Sequence, residues 1–160
     1  LVEQVGAGLG QRRQDRVLLD YFAPLVSFAG TPYWSETNLL TNRVPRNSEL
    51  NRGSWYGLEW AVRNLANRLP ALYVITGPVY EAGTDRSGDA SLPDGFFKVI
   101  ADETGQVAAF VFPQQLPFHI HHCDQLTTLE EVERVSGLDL FPELSGMPRG
   151  DLSERLGCFR

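Results

Sequence analysis

Several residue types are scarce in this 160-residue chain, and the scarcities narrow what it can be. No apolar run approaches the roughly 18 residues that a membrane-spanning helix needs, so no transmembrane segment is predicted. The net charge of −6 argues against a general polyanion binder, which is usually basic. There are only two cysteines, and alone they say little about the redox compartment. The sequence also has no P-loop, dinucleotide fingerprint or nucleophile elbow.

Lysine is almost absent as well, since Lys98 is the only one and every other basic residue is arginine. Arginine is the better bidentate ligand for phosphate. A local arginine cluster can bind phosphate inside an acidic molecule, and one is formed by Arg43, Arg46, Arg52 and Arg63. A high-GC coding sequence produces the same bias, so both explanations stay open.

The chain begins at Leu1 without a methionine, and Leu1–Gly10 has no basic segment followed by an apolar core. No signal peptide is therefore recognised, and we interpret the start as a cut or a fragment boundary. The length suits one domain that spans residues 1–160 and buries a substantial core.

Apolar and turn-forming residues predict the strands and loops. Five segments read as strands: Val17–Phe28 (buried, interrupted by Pro24), Asn38–Thr41, Leu72–Thr76 (core, closed by Gly77-Pro78), Phe96–Ala101 and Val107–Phe112. The last two are expected to pair as a hairpin across Asp102–Gln106, with Gly105 in the turn. Polar loops are predicted for Arg43–Gly53, where Pro45 argues against a helix, and for Glu81–Pro93.

Two helices and a final helical turn are predicted. Ser54–Arg68 has one apolar face, with Glu59 and Arg63 four residues apart on its flank. Thr128–Ser136 has acidic residues near its start and Gly137 as a C-cap, and Asp151–Leu156 is expected to form the last turn. Irregular alternation of helices and strands with a hairpin indicates an α+β fold with a mainly antiparallel or mixed sheet.

The segment from Asn42 to Gly53, followed by the helix with Glu59 and Arg63, places amide, carboxylate and guanidinium groups where a metal and a phosphate can be held. Around it the order of short motifs resembles the DNA/RNA non-specific endonucleases of the ββα-metal superfamily. The resemblance runs from about Tyr21 to Cys158 and rests on these stretches: Ala23-Pro24-Leu25, Leu40-Thr41-Asn42, Leu50-Asn51-Arg52-Gly53, Leu58-Glu59, Arg63, Tyr73–Pro78 and Phe97–Ile100.

The resemblance implies a role for each matching residue. Asn51 matches the asparagine that holds one divalent cation, usually Mg²⁺, and Glu59 matches the carboxylate that holds a metal-bound water. Arg63 matches the arginine that neutralises the phosphate, and Asn42 matches the asparagine beside the catalytic histidine. Taken alone, Glu59 with Arg63 is better interpreted as an ordinary solvated ion pair, and Asn51 could be only a turn residue or helix cap. The combined register of the motifs favours the functional roles.

Tyr21 departs from the family pattern. Where the family carries Asp-Arg-Gly-His, this chain reads Leu18-Leu19-Asp20-Tyr21, and a tyrosine replaces the histidine. A phenol titrates near pH 10 and is a poor general base at neutral pH. Loss of a general base costs about 10²–10⁴ in rate, so catalysis is expected to be impaired or absent.

The resemblance also implies a Cys123–Cys158 disulfide, since secreted bacterial members have cysteines at both positions. Such a bond indicates an oxidising compartment, secreted or periplasmic, whereas the alternative is two reduced, buried thiols. His119, His121 and His122 beside Cys123 either bind a transition metal or lie in a solvated loop, and the loop is the favoured interpretation.

Three functional hypotheses follow. The first is a Mg²⁺-dependent enzyme that cuts DNA and RNA without sequence preference. The second is a non-catalytic relative that binds nucleic acid, or a protein such as a nuclease inhibitor. The third is a decayed or N-terminally truncated product, because the family has additional strands upstream of the tetrad. Some relatives are homodimers, but no interface is marked in this sequence.

Overall fold

A computed structural model describes residues 17–81, 92–142 and 150–159. Within these ranges the chain forms a two-stranded antiparallel ribbon, a five-stranded sheet and two helices of eight or more residues. The α+β class predicted from the sequence is confirmed. No helix in the described ranges is long and apolar enough to cross a membrane.

The ribbon pairs strand β1 (Val17–Tyr21) with strand β2 (Arg43–Asn47) in antiparallel register. The prediction of a buried strand over Val17–Phe28 was wrong, because β1 ends at Tyr21 and is largely exposed. Beyond it, Leu25–Phe28 forms a 3₁₀ turn. Apolar residues are exposed on both faces of the ribbon, Leu18 at 40% and Leu19 at 52%, so an apolar sequence there does not guarantee burial.

The predicted strand over Asn38–Thr41 was also wrong. Two 3₁₀ turns, Glu36–Asn38 and Leu40–Asn42, occupy this segment. The Thr37 hydroxyl donates to the Trp34 carbonyl at 2.7 Å, and the Asn42 side chain donates to the Thr37 carbonyl at 2.7 Å. Side chains that bond to local carbonyls stabilise turns in competition with a strand ladder.

The predicted loop over Arg43–Gly53 is ordered instead. It comprises β2, the single helical turn α1 (Ser48–Leu50) and the first part of a wide π-type segment over Asn51–Trp55. Pro45 fits β2 because its backbone faces away from β1, where its carbonyl accepts from the Gln114 side chain at 3.1 Å. An N–H at this position would point the same way, so its absence removes no hydrogen bond to β1. Helix α2 (Tyr56–Ala66) follows the π segment and confirms most of the helix predicted over Ser54–Arg68.

The main sheet has the order β3 (Leu72–Val79), β4 (Gly95–Asp102), β5 (Gln106–Pro113) and β6 (Leu126–Thr127), and β7 (Gly150–Asp151) pairs parallel with β5. The predicted hairpin is confirmed by β4 and β5, and Gly105 takes the positive φ of +83° that its turn requires. β3 extends past Gly77-Pro78, which was expected to close it. In the described sheet β3 pairs with β4 alone, and an edge position tolerates proline.

Strand β4 is buried along its whole length because both faces of the sheet are covered. On one face, Phe96 and Ile100 pack with Trp55 and Leu58 of the helical region. The other face carries Phe97, Val99 and residues of α3 (Leu129–Ser136). Lys98 has the strand parity of Phe96 and therefore points into the core beneath α2.

Helix α3 and the C-terminal turn agree with the predictions. The Thr128 side chain caps the α3 N-terminus by accepting from the Glu131 N–H at 3.2 Å, and Gly137 ends the helix with a φ of +69°. A 3₁₀ turn covers Ser153–Leu156. The predicted loop over Glu81–Pro93 lies mostly outside the described residues, since 82–91 are not described.

Cys123 and Cys158 form a disulfide with an S–S distance of 2.08 Å. It joins the segment before α3 to the chain beyond the last 3₁₀ turn and closes a loop across 35 positions. The pairing implied by the family resemblance is present, and the alternative of two reduced thiols is wrong.

Candidate metal and phosphate site

The site is built where the π segment passes into α2. Gly53 leaves helical geometry, with φ −94° and ψ −114°, and its Cα lies so close to the Phe118 carbonyl that a Cβ would overlap it. The Ser54 hydroxyl donates to the Ile120 carbonyl and anchors the segment to the same loop. These contacts set the start of α2 against the sheet and direct Trp55 into the core.

Trp55 is the centre of the site. It is fully buried, and Phe96 and Phe112 contact its ring edge to face at centroid distances of 5.8 and 5.4 Å. Two cations lie against the same indole. The Arg46 Cζ is 3.9 Å and the Lys98 Nζ 4.3 Å from the ring centroid. A desolvated cation on an indole face contributes about 2 kcal/mol, so Trp55 supports both charges.

Glu59 accepts hydrogen bonds and balances charge on one face of α2. Its Oε1 accepts from the Trp55 indole N–H at 2.8 Å and lies 3.5 Å from the Lys98 Nζ. Its Oε2 lies 4.0 Å from an Nη1 of Arg63, one helical turn on. The carboxylate is therefore fixed on one oxygen, and the other faces Arg63.

Arg63 has unused hydrogen-bonding capacity. Its side chain is mostly buried, and its Nη1 has no hydrogen-bond partner among the described residues. A buried N–H without an acceptor is costly, and an anionic oxygen is its natural partner. Arg63 therefore presents a donor suited to a phosphate oxygen.

Arg46 connects Asn51 to the ribbon. Its Nη1 donates both to the Asp20 carboxylate and to the Asn51 Oδ1, the latter at 3.2 Å. Burial lowers the pKa of Arg46 to about 10, with Asp20 and Glu59 acting in the opposite direction. Arg46 is wholly buried and pairs with Asp20, and a phosphate contact for it remains a prediction.

Tyr21 lies on the opposite face of the ribbon from this cluster. The pairing register of β1 with β2 places Tyr21 beside Arg43 on one face of the ribbon, and Asp20 and Arg46 on the other face. The Tyr21 hydroxyl donates to the Asn38 Oδ1 at 2.9 Å and accepts from an Arg43 Nη2 at 2.8 Å. The side chain from β1 that lies next to the Asn51 cluster is therefore Asp20 and not Tyr21.

The Asn42 side chain links two loops by hydrogen bonds. Its Oδ1 accepts from the Ala23 N–H at 2.9 Å, and its Nδ2 donates to the carbonyls of Ala23 and Thr37 at 2.8 and 2.7 Å. Three hydrogen bonds within the fold occupy this amide, which holds the end of β1 in place.

The remaining arginines predicted to contact phosphate differ in availability. Arg43 binds Tyr21 and Asn38, whereas the exposed Arg52 donates only through Nε, to the Ser48 carbonyl at 3.3 Å, within the described residues. Among the described residues, the Nε of Arg43, the Nε of Arg46 and the Nη1 of Arg63 are buried without a hydrogen-bond partner. Arg52 is the exposed member of the four and keeps its two Nη groups for a ligand.

The oxygen donors of this site fit a hard divalent cation. Asn51 is half-buried, and its Oδ1 uses one of two lone pairs for Arg46, so a second remains for a ligand. Glu59 offers Oε2 at the rim of the cluster. A neutral amide oxygen and a carboxylate, with water in other positions, are typical of Mg²⁺ sites.

The only lysine in the chain provides a direct measure of the cluster's electrostatics. Burial lowers the pKa of Lys98 to about 8 from its usual 10.5, against the opposing effect of Glu59. Between these two pH values the unfolded chain binds more protons than the folded one, so the free energy of unfolding rises with pH across this window.

We expect the single Cε resonance of ¹³C-lysine-labelled protein to titrate near pH 8. The stability gain from pH 8 to 10 is on the order of 2–3 kcal/mol and is absent from Lys98→Met. NMR titration and urea unfolding measure the two effects. A Lys98 midpoint above pH 10 would show that the ammonium is solvated.

The histidine cluster is less exposed than predicted. His122 is buried, with Nε2 3.2 Å from the Leu156 carbonyl, and burial lowers its pKa. The assignment of a solvated loop was therefore wrong for His122, whereas His119 and His121 are exposed. His121, His122 and Cys123 bring ligand atoms within 4.8 Å of one another, but the Cys123 sulfur belongs to the disulfide.

Sequence reasoning missed three residues of the cluster: Asp20, Trp55 and Lys98. The signal for Lys98 was present, since it is a single charged residue between Phe97 and Val99 in an otherwise apolar strand. Trp55 was recognised only as a core residue. No sequence signal identified Asp20, because its face depends on the pairing register of β1 with β2.

Comparison with known proteins identifies relatives of this arrangement. A family described as DNA/RNA non-specific endonuclease matches residues 25–147. A nuclease of Serratia marcescens is 34% identical, over 85% of this chain and 58% of its own. The mitochondrial nuclease EXOG of Xenopus laevis is 31% identical, over 71% of this chain and 37% of its own.

The fold agrees with these matches. The EndoG/EndoGI complex, whose crystal structure describes a mechanism of EndoG inhibition, aligns with a TM-score of 0.66 and 25% identity over 81% of this chain and 60% of that chain. The chain spans about half the length of the curated relatives it matches. Nucleases of this family are metal-dependent, typically on a divalent cation. On the family match and the identities together, the chain belongs to the DNA/RNA non-specific endonuclease family.

Proposed function

We propose that this domain binds a phosphodiester of DNA or RNA beside a Mg²⁺ ion and hydrolyses it slowly. The observation that carries the proposal is the row Asn51, Glu59 and Arg63, which is connected through Trp55. Asn51 binds Arg46 on the Trp55 ring, and Glu59 binds the Trp55 N–H. Arg63 lies 4.0 Å from Glu59 and keeps a buried donor that has no hydrogen-bond partner among the described residues. Family membership supports a nucleic-acid substrate.

Each residue of the row has a distinct task in this proposal. Arg63 donates to phosphate oxygens and neutralises their charge, which is the usual contribution of a guanidinium to phosphoryl chemistry. Glu59 accepts a hydrogen bond from a water and orients it, and the contacts of its Oε1 to Trp55 and Lys98 fix that orientation. Asn51 would hold the cation, which when bound stabilises charge on the leaving oxygen.

The slow rate follows from the environment of Tyr21. Its oxygen accepts from the Arg43 guanidinium and its O–H donates to the Asn38 Oδ1, so the hydroxyl is a weak proton acceptor. It also lies on the ribbon face away from Arg46 and Asn51. A nuclease without its general base is expected to lose about 10²–10⁴ in rate.

The proposal is tested by comparing the parent with Asn51→Ala in plasmid nicking with Mg²⁺ or chelator and in calorimetric Mg²⁺ titration. We expect slow nicking that chelation abolishes. Because Asn51 would hold the cation directly, the variant should lose more Mg²⁺ affinity than the roughly 10- to 100-fold that follows loss of an outer-shell partner.

Asn67→Ala, at the exposed end of α2, is the matched control and should behave as the parent. Nicking that persists under chelation, or equal Mg²⁺ affinity in Asn51→Ala, would contradict the proposal.

A second candidate function is non-catalytic binding of nucleic acid or of an inhibitor protein. It is favoured by the hydrogen bonds that already occupy Tyr21, and the EndoG/EndoGI complex is a precedent for a protein partner. Complete absence of nicking, together with Arg63-dependent binding of an oligonucleotide, would support this alternative. The Cys123–Cys158 disulfide favours a secreted or periplasmic location under either function.

A further inference from the structure

Two aromatic side chains on α2 have no role in the cluster described above. Tyr56 and Trp60 lie one helical turn apart and are 55% and 56% exposed. Large aromatic side chains contribute most when buried, so two exposed rings on the same flank of one helix forgo that contribution. This flank adjoins Arg63, the residue proposed to bind phosphate. The Arg63 Cζ lies 5.8 Å from the centroid of the Tyr56 ring and 6.0 Å from that of the Trp60 ring.

We propose that Tyr56 and Trp60 form a stacking site for unpaired nucleobases of single-stranded DNA or RNA. The site rests on the proposed function to the extent that Arg63 contacts the neighbouring phosphate. Aromatic faces bind any base, and a cation beside them attracts the backbone, which is the combination used by proteins that bind single strands.

The contacts of Arg63 leave the rings available. Distances of 5.8 and 6.0 Å are at the outer limit for a cation–π interaction, so the guanidinium does not cover either ring. Its Nη1 has no hydrogen-bond partner among the described residues, and the Cζ that carries it lies 5.8 and 6.0 Å from the two ring centroids. One phosphate on Arg63 would place the attached nucleoside next to the rings.

The spacing of the rings selects unpaired bases. Side chains four residues apart on a helix have Cβ atoms about 5–6 Å apart, whereas stacked bases in a duplex follow each other every 3.4 Å. A duplex base already has neighbours on both faces. Only a base that has left the stack presents a free face to Tyr56 or Trp60.

The test is fluorescence anisotropy with labelled 15-nucleotide oligomers at low salt and with chelator present, so that turnover plays no part. The ligands are oligo-dT, oligo-rU, an abasic DNA strand of equal charge and a DNA duplex. The parent should bind oligo-dT or oligo-rU more tightly than the abasic strand or the duplex. Trp60→Ala should weaken base-dependent binding about 5- to 150-fold, and Trp60→Phe should restore most of it.

Tyr73→Ala is the matched control, because Tyr73 is equally exposed at 56% but lies on strand β3. Binding of only the dT or only the rU oligomer, if lost in Trp60→Ala, supports the site and assigns its source to DNA or RNA. Equal affinity for the abasic strand, or no change in Trp60→Ala, overturns the site.

The two proposals fail in different measurements. Trp60-dependent binding without Mg²⁺-dependent nicking would refute the proposed catalysis and leave the stacking site intact. Mg²⁺-dependent nicking with no effect of Trp60→Ala on binding would refute the stacking site and leave the proposed catalysis intact. Thermal unfolding of Trp60→Ala should match the parent, since the side chain is exposed.

Discussion

Trp55→Ala is expected to lower the free energy of unfolding by about 3–5 kcal/mol, the cost of truncating a fully buried large aromatic. The loss has two sources. Phe96 and Phe112 lose their edge-to-face partner, and Arg46 and Lys98 lose the indole face that supports their buried charges. For a chain of this length the melting temperature should fall by roughly 10–20 °C.

Trp55→Phe separates the contribution of the ring from that of the indole N–H. It keeps an aromatic ring in the core but removes the indole N–H that binds Glu59. We expect less destabilisation than in Trp55→Ala and a clear decrease in nicking, because Glu59 is no longer fixed. Urea unfolding and nicking of both variants measure this, and equal loss of stability in the two would show that ring packing is unimportant.

Glu59→Gln is expected to reduce both stability and nicking. The substitution removes the carboxylate nearest to the buried Lys98 ammonium and to Arg63. Removing one partner of a buried ion pair costs about 3–5 kcal/mol, and deprotonation of Lys98 limits that cost. The Lys98 pKa should therefore fall below its value in the parent, and nicking should decrease by about 10²–10⁴.

Glu131→Gln on α3 is the matched control. Glu131 also pairs with an arginine on its own helix, Arg134 at 2.6 Å, but on the exposed surface, where such pairs contribute little. The control should keep the stability and nicking of the parent. A Glu59→Gln protein with unchanged stability and Lys98 titration would show that the buried network does not depend on Glu59.

Local patterns in the sequence were sufficient for several elements. Helix α3 has a threonine cap at its start and a glycine at its end, and the β4–β5 hairpin has Gly105 in its turn. The spacing of Glu59 and Arg63 also fixed their common flank on α2, because residues four apart on a helix are neighbours. These features depend on contacts close in sequence, which is why they were predictable.

The segment around β1 and β2 was poorly predicted for the opposite reason. Its apolar residues indicated a buried strand and its polar residues a loop, whereas the fold forms a ribbon and a π-type segment. Pairing of β1 with β2 brings together residues more than twenty positions apart. No local pattern specifies that register, and a shift by one residue would exchange Asp20 and Tyr21 between faces.

The sequence by itself determined the family, the α+β class and the disulfide partners. It also supplied the prediction of Asn51, Glu59 and Arg63 that the proposed function uses. Only the tertiary structure decided which charges are buried. Arg46 and Lys98 are common surface residue types, and they are stable inside this protein because Asp20, Glu59 and the Trp55 ring compensate them there. Such compensation arises from side chains on separate elements, so it exists only once the chain has folded.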